Sequence, residues 1–378
     1  MHTVAVIGGS NGGYAAAADF AEQGHTVQWY VRSPDNHAAV LDSQSVTLAV
    51  SPRYEGTRRT ADDRTTVSLS TVTTDLAEAV SGADAVVVPL PTTAQRGLFS
   101  DLAPVLEDDQ VVLLCPGNFG SYLLRQSIDE LDDPPENVTV AETPTLPYVT
   151  RRSDDAESTI NLDAVALPIG AYPGDETDRA LAVVEGLYES AIPAENALDS
   201  ALNNSNSCVN AVPTVLNAGA IESDEIESFN IHRHGIGDGV YNALMSLDEE
   251  RVRIREELGY DEPHFTQDEY YRPGEADGGH FYGENARKAL MSADTFSEDP
   301  PSLDDRYVHE DISIATVLLA SVGEFLDVET ATIDSIVHIA ESLMDEEYSE
   351  TGRTLEQLGL ADLSRGEFER VLAEGDEQ

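Results

Sequence analysis

The residues suited to holding a nucleotide stand at the start of the chain. Gly8-Gly-Ser-Asn-Gly12-Gly13 follows the apolar run Val4-Ala-Val-Ile7 and precedes an alanine-dense stretch from Tyr14 to Gln23. Glycines in such a turn let backbone amides approach a pyrophosphate, and the unpaired N–H groups of a helix N-terminus favour its charge. Gly8 and Gly13 hold the outer positions of the dinucleotide fingerprint, and Ser10 takes the middle one, with Gly9 beside it and Asn11 and Gly12 behind it. The bland alternative is a tight turn with no ligand. The next strand, from Thr26 to Val31, runs into Arg32-Ser33-Pro34. An acid usually occupies this place when the adenosine ribose carries free hydroxyls. A guanidinium beside a hydroxyl suits a 2′-phosphate instead, so NADP(H) is expected ahead of NAD(H). Stacking of Arg32 on adenine would suit either cofactor.

A second set of groups lies in the latter half. His232 and His234 fall in Phe229-Asn-Ile-His-Arg-His-Gly235, and His309 lies two residues before Asp311. Histidine moves protons near neutrality, and reduction of a C=O or C=N bond needs such a source. Asn210 can only orient a carbonyl or imine through hydrogen bonds. Each candidate has a plainer reading. The histidines also suit a surface loop, Asp311 suits the N-cap of the helix after it, and Arg306 suits an ion pair with one of many acids. Lys288 is the only lysine and stands in no motif.

The elements that must position these groups follow a doubly wound pattern. Asp84 to Pro89 reads as a strand ending in Pro89-Leu-Pro91, with a helix from Thr93 to Leu106 after it. Gln110 to Cys115 is another strand, ending at Pro116-Gly-Asn-Phe-Gly-Ser121 before a further helix. Ligands gather at the carboxyl ends of such strands, which makes Pro91, Asn118 and Ser121 candidates for cofactor or substrate contact. A strand at Ala164 to Pro168 and a helix around Asp178 to Tyr188 lead to a boundary near Ile192 to Asp199. Beyond it, helical spacing covers Asn206 to Ile221, Gly239 to Leu258, Gly283 to Met291, Asp311 to Leu326 and Thr332 to Met344. Gly259 to Gly283 reads as a long loop or lid. The expected fold is α/β, with a Rossmann-type dinucleotide-binding domain at 1–198 and an all-α domain at 199–378.

Composition narrows the partners. The 378 residues include 71 acids against 21 basic residues, a formal charge of -50. Such a surface repels phosphate backbones and anionic membranes, so neither nucleic acid nor a membrane is expected as partner. The acids are spread through apolar, periodic segments, which argues for a folded protein of a salt-rich cytoplasm, where counterions screen repulsion. Cys115 and Cys208 lack disulfide or metal-ligand spacing, and no metal is expected. No apolar run approaches the roughly 18 residues of a membrane span.

The stretch Asn204-Ser-Asn-Ser-Cys-Val-Asn210-Ala-Val-Pro-Thr-Val-Leu-Asn217-Ala-Gly-Ala-Ile-Glu222, with Leu247-Asp-Glu-Glu-Arg251 and Arg306-Tyr-Val-His-Glu-Asp311, resembles the second domain of the octopine/nopaline (opine) dehydrogenases. These NAD(P)H enzymes condense an amino acid with a 2-oxo acid. The resemblance implies a 6-phosphogluconate-dehydrogenase-like helical domain, also found in ketopantoate and glycerol-3-phosphate reductases. It also implies a histidine held by an aspartate, which moves the proton, and an arginine five residues earlier, which clamps a carboxylate. Arg306 and Asp311 match the last two, and Asn118 matches an amide that faces the oxo acid. The histidine position, seven residues before Asn217, is Asn210. His232, His234 or His309 would then have to supply the proton. A carbonyl reductase with a relocated acid/base and a non-catalytic nucleotide-binding protein stay open beside the opine-type reaction. A homodimer is compatible with all three.

Overall fold

The structure, a computed structural model, describes all residues except 53, 55–57, 155, 165, 227, 265–301 and 376–378. It divides into two units, Met1–Ala201 with Val371–Gln378 and Leu202–Arg370. The expected division at 198/199 left the whole C-terminal segment with the helical domain. The chain instead returns to the first unit, where Val371 and Leu372 are buried.

The first unit holds twelve strands among its described residues: β1 (Thr3–Ile7), β2 (Thr26–Tyr30), β3 (Ser45–Val50), β4 (Arg64–Ser68), β5 (Thr71–Thr73), β6 (Ala85–Val88), β7 (Val111–Leu114), β8 (Thr139–Glu142), β9 (Tyr148–Asp154), β10 (Glu157–Asp163), β11 (Leu167–Tyr172) and β12 (Ala191–Pro193). Eight form one sheet in the order β12-β11-β8-β7-β6-β1-β2-β5. The run from β5 to β8 is parallel, and β11 joins β8 antiparallel. Every residue of β6, β7 and β8 is buried. Strands covered on both faces need no polar alternation, which explains runs such as Ala85-Val-Val-Val88. This is the expected dinucleotide-binding layout, with the order reversing between β1 and β6.

A second sheet, β4-β3-β10-β9, was not anticipated. It packs on the helix Asn11–Glu22, which is thereby covered on both sides. Ala15, Ala16, Ala17 and Ala18 are fully buried, and their small side chains let the layers close on the helix backbone. In the same helix Asp19 is buried and accepts from Arg58 (3.0 Å), Arg59 (2.8 Å) and the Tyr148 hydroxyl (2.7 Å). Asp163, in β10, takes Arg59 (3.1 Å) and Tyr54 (2.6 Å). This cluster fastens the second sheet to the helix that starts at the glycine loop.

The second unit is helical throughout its described elements. Its long helix, Asp238–Glu257, buries Leu244, Leu247 and Ile254 together with Asp248, Glu250, Arg251 and Arg255. Arg251 pairs with Asp248 at 2.9 Å and donates to the carbonyls of Leu202 and His264, both at 2.8 Å. Glu250 accepts the amides of Thr332 (2.9 Å) and Ile333 (2.8 Å), capping the helix Ala331–Met344 from outside. The expected single helix at Asn206 to Ile221 is broken into a π-helical turn Ser207–Ala211 and short helices Val212–Leu216 and Ala218–Ile221. Pro213 has no amide to donate, and the turn ahead of it is widened. A second π-helical turn, Asp311–Thr316, leads into Val317–Phe325. The expected helix at Gly283 to Met291, with Lys288, and most of the expected lid lie outside the described residues.

Candidate active site

The glycine loop is shaped by contacts that leave no room for side chains. Gly8 has φ +117°, and a Cβ on it would meet Leu90 at 2.5 Å. A Cβ on Gly13 would sit 2.0 Å from the Gly8 carbonyl oxygen, so only glycine lets helix and strand close this far. Ser10, the departure from the glycine pattern, is the helix N-cap. Its hydroxyl accepts from the Gly13 amide (3.1 Å) and donates to the Pro89 carbonyl (2.6 Å), tying the loop to the end of β6. Gly9 and Ser10 are half-buried and Asn11 is exposed, so the helix N-terminus reaches the surface, as an anion seat requires. Arg32 is exposed just past β2, with Ser33 half-buried beside it, and Pro91 is exposed past β6. The residues present therefore fit a dinucleotide: loop and helix for the pyrophosphate, Arg32 and Ser33 for the adenosine end.

Asn118 is buried past β7 with φ +49°, and its amide is 3.4 Å from the Thr92 hydroxyl. Next to it Glu142, fully buried at the end of β8, accepts the amides of Phe119 (2.6 Å) and Ser121 (2.9 Å) and the Ser121 hydroxyl (2.5 Å). The N-terminus of the helix Gly120–Asp129 thus carries an anion from within the chain, and Ser121 is committed to it. In sequence, Glu142 falls in Ala141-Glu142-Thr-Pro-Thr-Leu-Pro-Tyr148, which with Arg151 resembles a turn of the opine dehydrogenases and is as open to a structural as to a functional role. A further legible signal was an acid closing the otherwise uncharged strand Thr139-Val-Ala-Glu142.

In the second unit the two π-helical turns bring Asn210 against Asp311. The Asn210 amide donates to Asp311 Oδ2 at 2.8 Å, and its carbonyl oxygen is 3.1 Å from His232 Nε2. All three side chains are buried. With the amide nitrogen on the carboxylate, the oxygen must accept, so His232 carries its hydrogen on Nε2. His232 belongs to the short helix Ile231–Gly235, which Asn230 caps through the Arg233 amide (2.7 Å), and its ring meets Tyr307 edge-on at 6.2 Å. Asp311 is not the N-cap that sequence left as an alternative. It lies inside its turn, while Asp305 caps the preceding helix Arg306–His309. Burial pushes the Asp311 carboxyl up to about 7, with the Arg306 charge the main opposing influence. Arg306 leaves 49 % of its side chain exposed, lies 4.8 Å over the Tyr307 ring and is 3.9 Å from Glu310.

Of the other histidines, His309 is half-buried and held by Asp304 at 2.7 Å, and His234 is exposed and accepts the Asn230 amide at 3.0 Å. His232, by contrast, touches Asn210 directly. Among the described residues no cluster of three metal-ligating side chains occurs, and no helix is long and apolar enough to cross a membrane.

The family model described as NAD/NADP octopine/nopaline dehydrogenase, alpha-helical domain, matches residues 193–344. That for the NAD-dependent glycerol-3-phosphate dehydrogenase N-terminus matches residues 3–140. An opine dehydrogenase of Arthrobacter sp. (strain 1C) is 27% identical over 96% of either chain. Protein ocs of Agrobacterium tumefaciens (strain Ach5) is 24% identical over 98% of this chain and 99% of its own. In fold, octopine dehydrogenase solved with NADH and pyruvate superposes with a TM-score of 0.75, at 18% identity, over 100% of this chain and 99% of its own. Yersinopine dehydrogenase with NADP+ bound gives 0.70, at 12% identity, over 97% and 98%. With the dinucleotide loop, the helical second unit and relatives matched along nearly its whole length, the chain is an NAD(P)-dependent oxidoreductase, and these likenesses support its membership of the opine dehydrogenase family.

Proposed function

We propose that this enzyme joins an amino acid to a 2-oxo acid by reductive condensation, or cleaves such a product oxidatively, with NADPH preferred over NADH. The observation that carries the reading is the buried line from His232 through Asn210 to Asp311. Condensation of amine and ketone releases water and forms a C=N bond, and its reduction needs a hydride at carbon and a proton at nitrogen. The bound nicotinamide supplies the hydride. In this reading His232 is the acid/base group: its Nε2 hydrogen is held by Asn210, so Nδ1 takes up a proton and the imidazolium delivers it from there, since Asn210 cannot exchange a proton at neutral pH. Asn210 acts as a spacer: Asp311 fixes its amide, and its carbonyl fixes the tautomer of His232. Arg306 has the half-exposed guanidinium needed to grip a substrate carboxylate in bidentate fashion. Asn118 is assigned to the oxo acid on the family resemblance. The octopine dehydrogenase structures with NADH and pyruvate, and with NADH and L-arginine, are in keeping with paired substrates of these classes.

The test is a matrix of amino acids against 2-oxo acids, with NADPH oxidation followed optically in molar KCl. Turnover that requires both substrates is expected. Reduction of an oxo acid alone would instead make this a carbonyl reductase of the same fold, a second reading that Asn210 at the histidine position favours. Cofactor binding with no turnover across the matrix would reduce the protein to a nucleotide-binding role.

A further inference from the structure

The second sheet places a further guanidinium beside the loop for the cofactor. Arg152 lies on β9, and its backbone amide donates to Asn11 Oδ1 at 2.9 Å, on the first residue of the glycine-loop helix. Its Nη2 donates to the carbonyl of Asn36 at 3.0 Å, in the turn Pro34–His37 that follows Arg32 and Ser33. One residue therefore bridges, through its backbone amide on one side and its guanidinium on the other, the two segments between which a dinucleotide fold seats the adenosine ribose, the loop after the first strand and the turn after the second.

Its setting is rigid. The guanidinium carbon stands 4.8 Å over the ring of Tyr14, which is itself fully buried and packed edge-on against Trp29 at 4.6 Å. The Tyr14 hydroxyl is 2.9 Å from His37 Nδ1. The far side of that imidazole lies 2.3 Å from where a Cβ on Gly9 would be, so His37 is pressed against the loop backbone. Burial and the Arg152 charge both lower the affinity of His37 for a proton. The positive charge at this corner accordingly comes from Arg32 and Arg152, and the acid of the turn, Asp35, is exposed. A guanidinium held flat on an aromatic face keeps its outer N–H groups oriented at little further entropic cost.

We propose that Arg152 is a second 2′-phosphate-binding residue which, with Arg32, sets the preference of this enzyme for NADPH over NADH. The inference rests on the NADPH reading above, and the experiment separates the two. NADPH and NADH are titrated in equal molar KCl against the full-length wild type, Arg152→Ala, Arg152→Lys and Arg32→Ala. Arg152→Ala should weaken NADPH binding by about tenfold, as expected for loss of one charge-assisted contact. NADH affinity should stay within about twofold, and Arg152→Lys should recover part of the loss. The unchanged NADH affinity serves as the control for folding. Equal losses for both dinucleotides would make Arg152 a structural bridge between β9 and the helix, and overturn the proposal. So would an Arg152→Ala enzyme that keeps the wild-type preference while Arg32→Ala loses it, which leaves the NADPH reading standing. A wild type with no preference for NADPH overturns both.

Discussion

At the scale of single residues, the change from histidine to asparagine at position 210 alters reach more than polarity. An imidazole directly on Asp311 would be held by the carboxylate itself, whereas here the amide of Asn210 stands between them. The acid/base function in this reading moves one hydrogen bond outward, to His232. His232→Gln should lower kcat by about 100-fold or more while NADPH binding is retained, the effect of losing a positioned general acid. Asp311→Asn should cost less, about tenfold, and should remove an ionisation near pH 7 from the profile of kcat/KM against pH. The sign for stability follows from the same shift. Raised above its unfolded value, the Asp311 carboxyl binds more protons folded than unfolded, so its contribution falls as pH rises from about 4 to about 7. The stability difference between wild type and Asp311→Asn, measured by denaturant titration across that window, should therefore shrink or reverse with rising pH. A kcat/KM profile unaltered by Asp311→Asn would remove the relay. The meeting of Asn210 and Asp311 was implied by the family resemblance, in which a histidine at the Asn210 position is held by the aspartate that Asp311 matches. Which histidine joins them was not legible, because His232 and His234 share one short helix and only its orientation buries one and exposes the other.

At the scale of elements, the sequence was most legible where periodicity was long and buried faces were continuous. The helix Asp238–Glu257 lies within one residue of its expected bounds, and the apolar strands β6 and β7 fall inside theirs. The second sheet escaped notice although Ser45-Val-Thr-Leu-Ala-Val50 alternates, with Val46, Leu48 and Val50 buried. Its strands have polar outer faces, and β3 pairs with β10, over a hundred residues away, a contact no local pattern announces. The π-helical turns were illegible for a related reason. Both retain apolar helical spacing, and only Pro213 hinted that the regular hydrogen-bond ladder would be interrupted. Elements of the helical unit are also joined across long separations, as where Glu250 caps a helix 82 residues further on. Glu250 neutralises two amides at the start of Ala331–Met344, so Glu250→Ala should destabilise the protein by about 1–3 kcal/mol. Denaturant unfolding measures this, and a change below about 0.5 kcal/mol would show that those amides find other partners.

At the scale of the whole molecule, charge governs conduct. Seventy-one acids against 21 basic residues leave a net charge of -50, and among the few cations several are spent inside the fold on Asp19, Asp163 and Asp248. The surface is left with little to offset its own repulsion. At about 0.1 M salt the screening length is ~10 Å and many carboxylates act on one another, whereas at molar salt it falls to ~3 Å. The melting temperature should rise substantially between 0.1 M and 3 M KCl. A melt unchanged across that range would mean the acids are compensated in some other way.

The buried cluster around Asp19 also bears on how freely this protein can be recombined with its relatives. A graft that exchanged the glycine loop and its helix would carry Asp19 into a host without Arg58, Arg59 and Tyr148. A buried carboxylate stranded in this way costs about 3–5 kcal/mol, a large share of what holds a domain together. Replacement of the second sheet alone would strand the same charge from the other side. The unit of exchange in this half of the enzyme is therefore the helix, the segment bearing Arg58 and Arg59, and the strands β9 and β10 taken together, although they lie far apart in the chain.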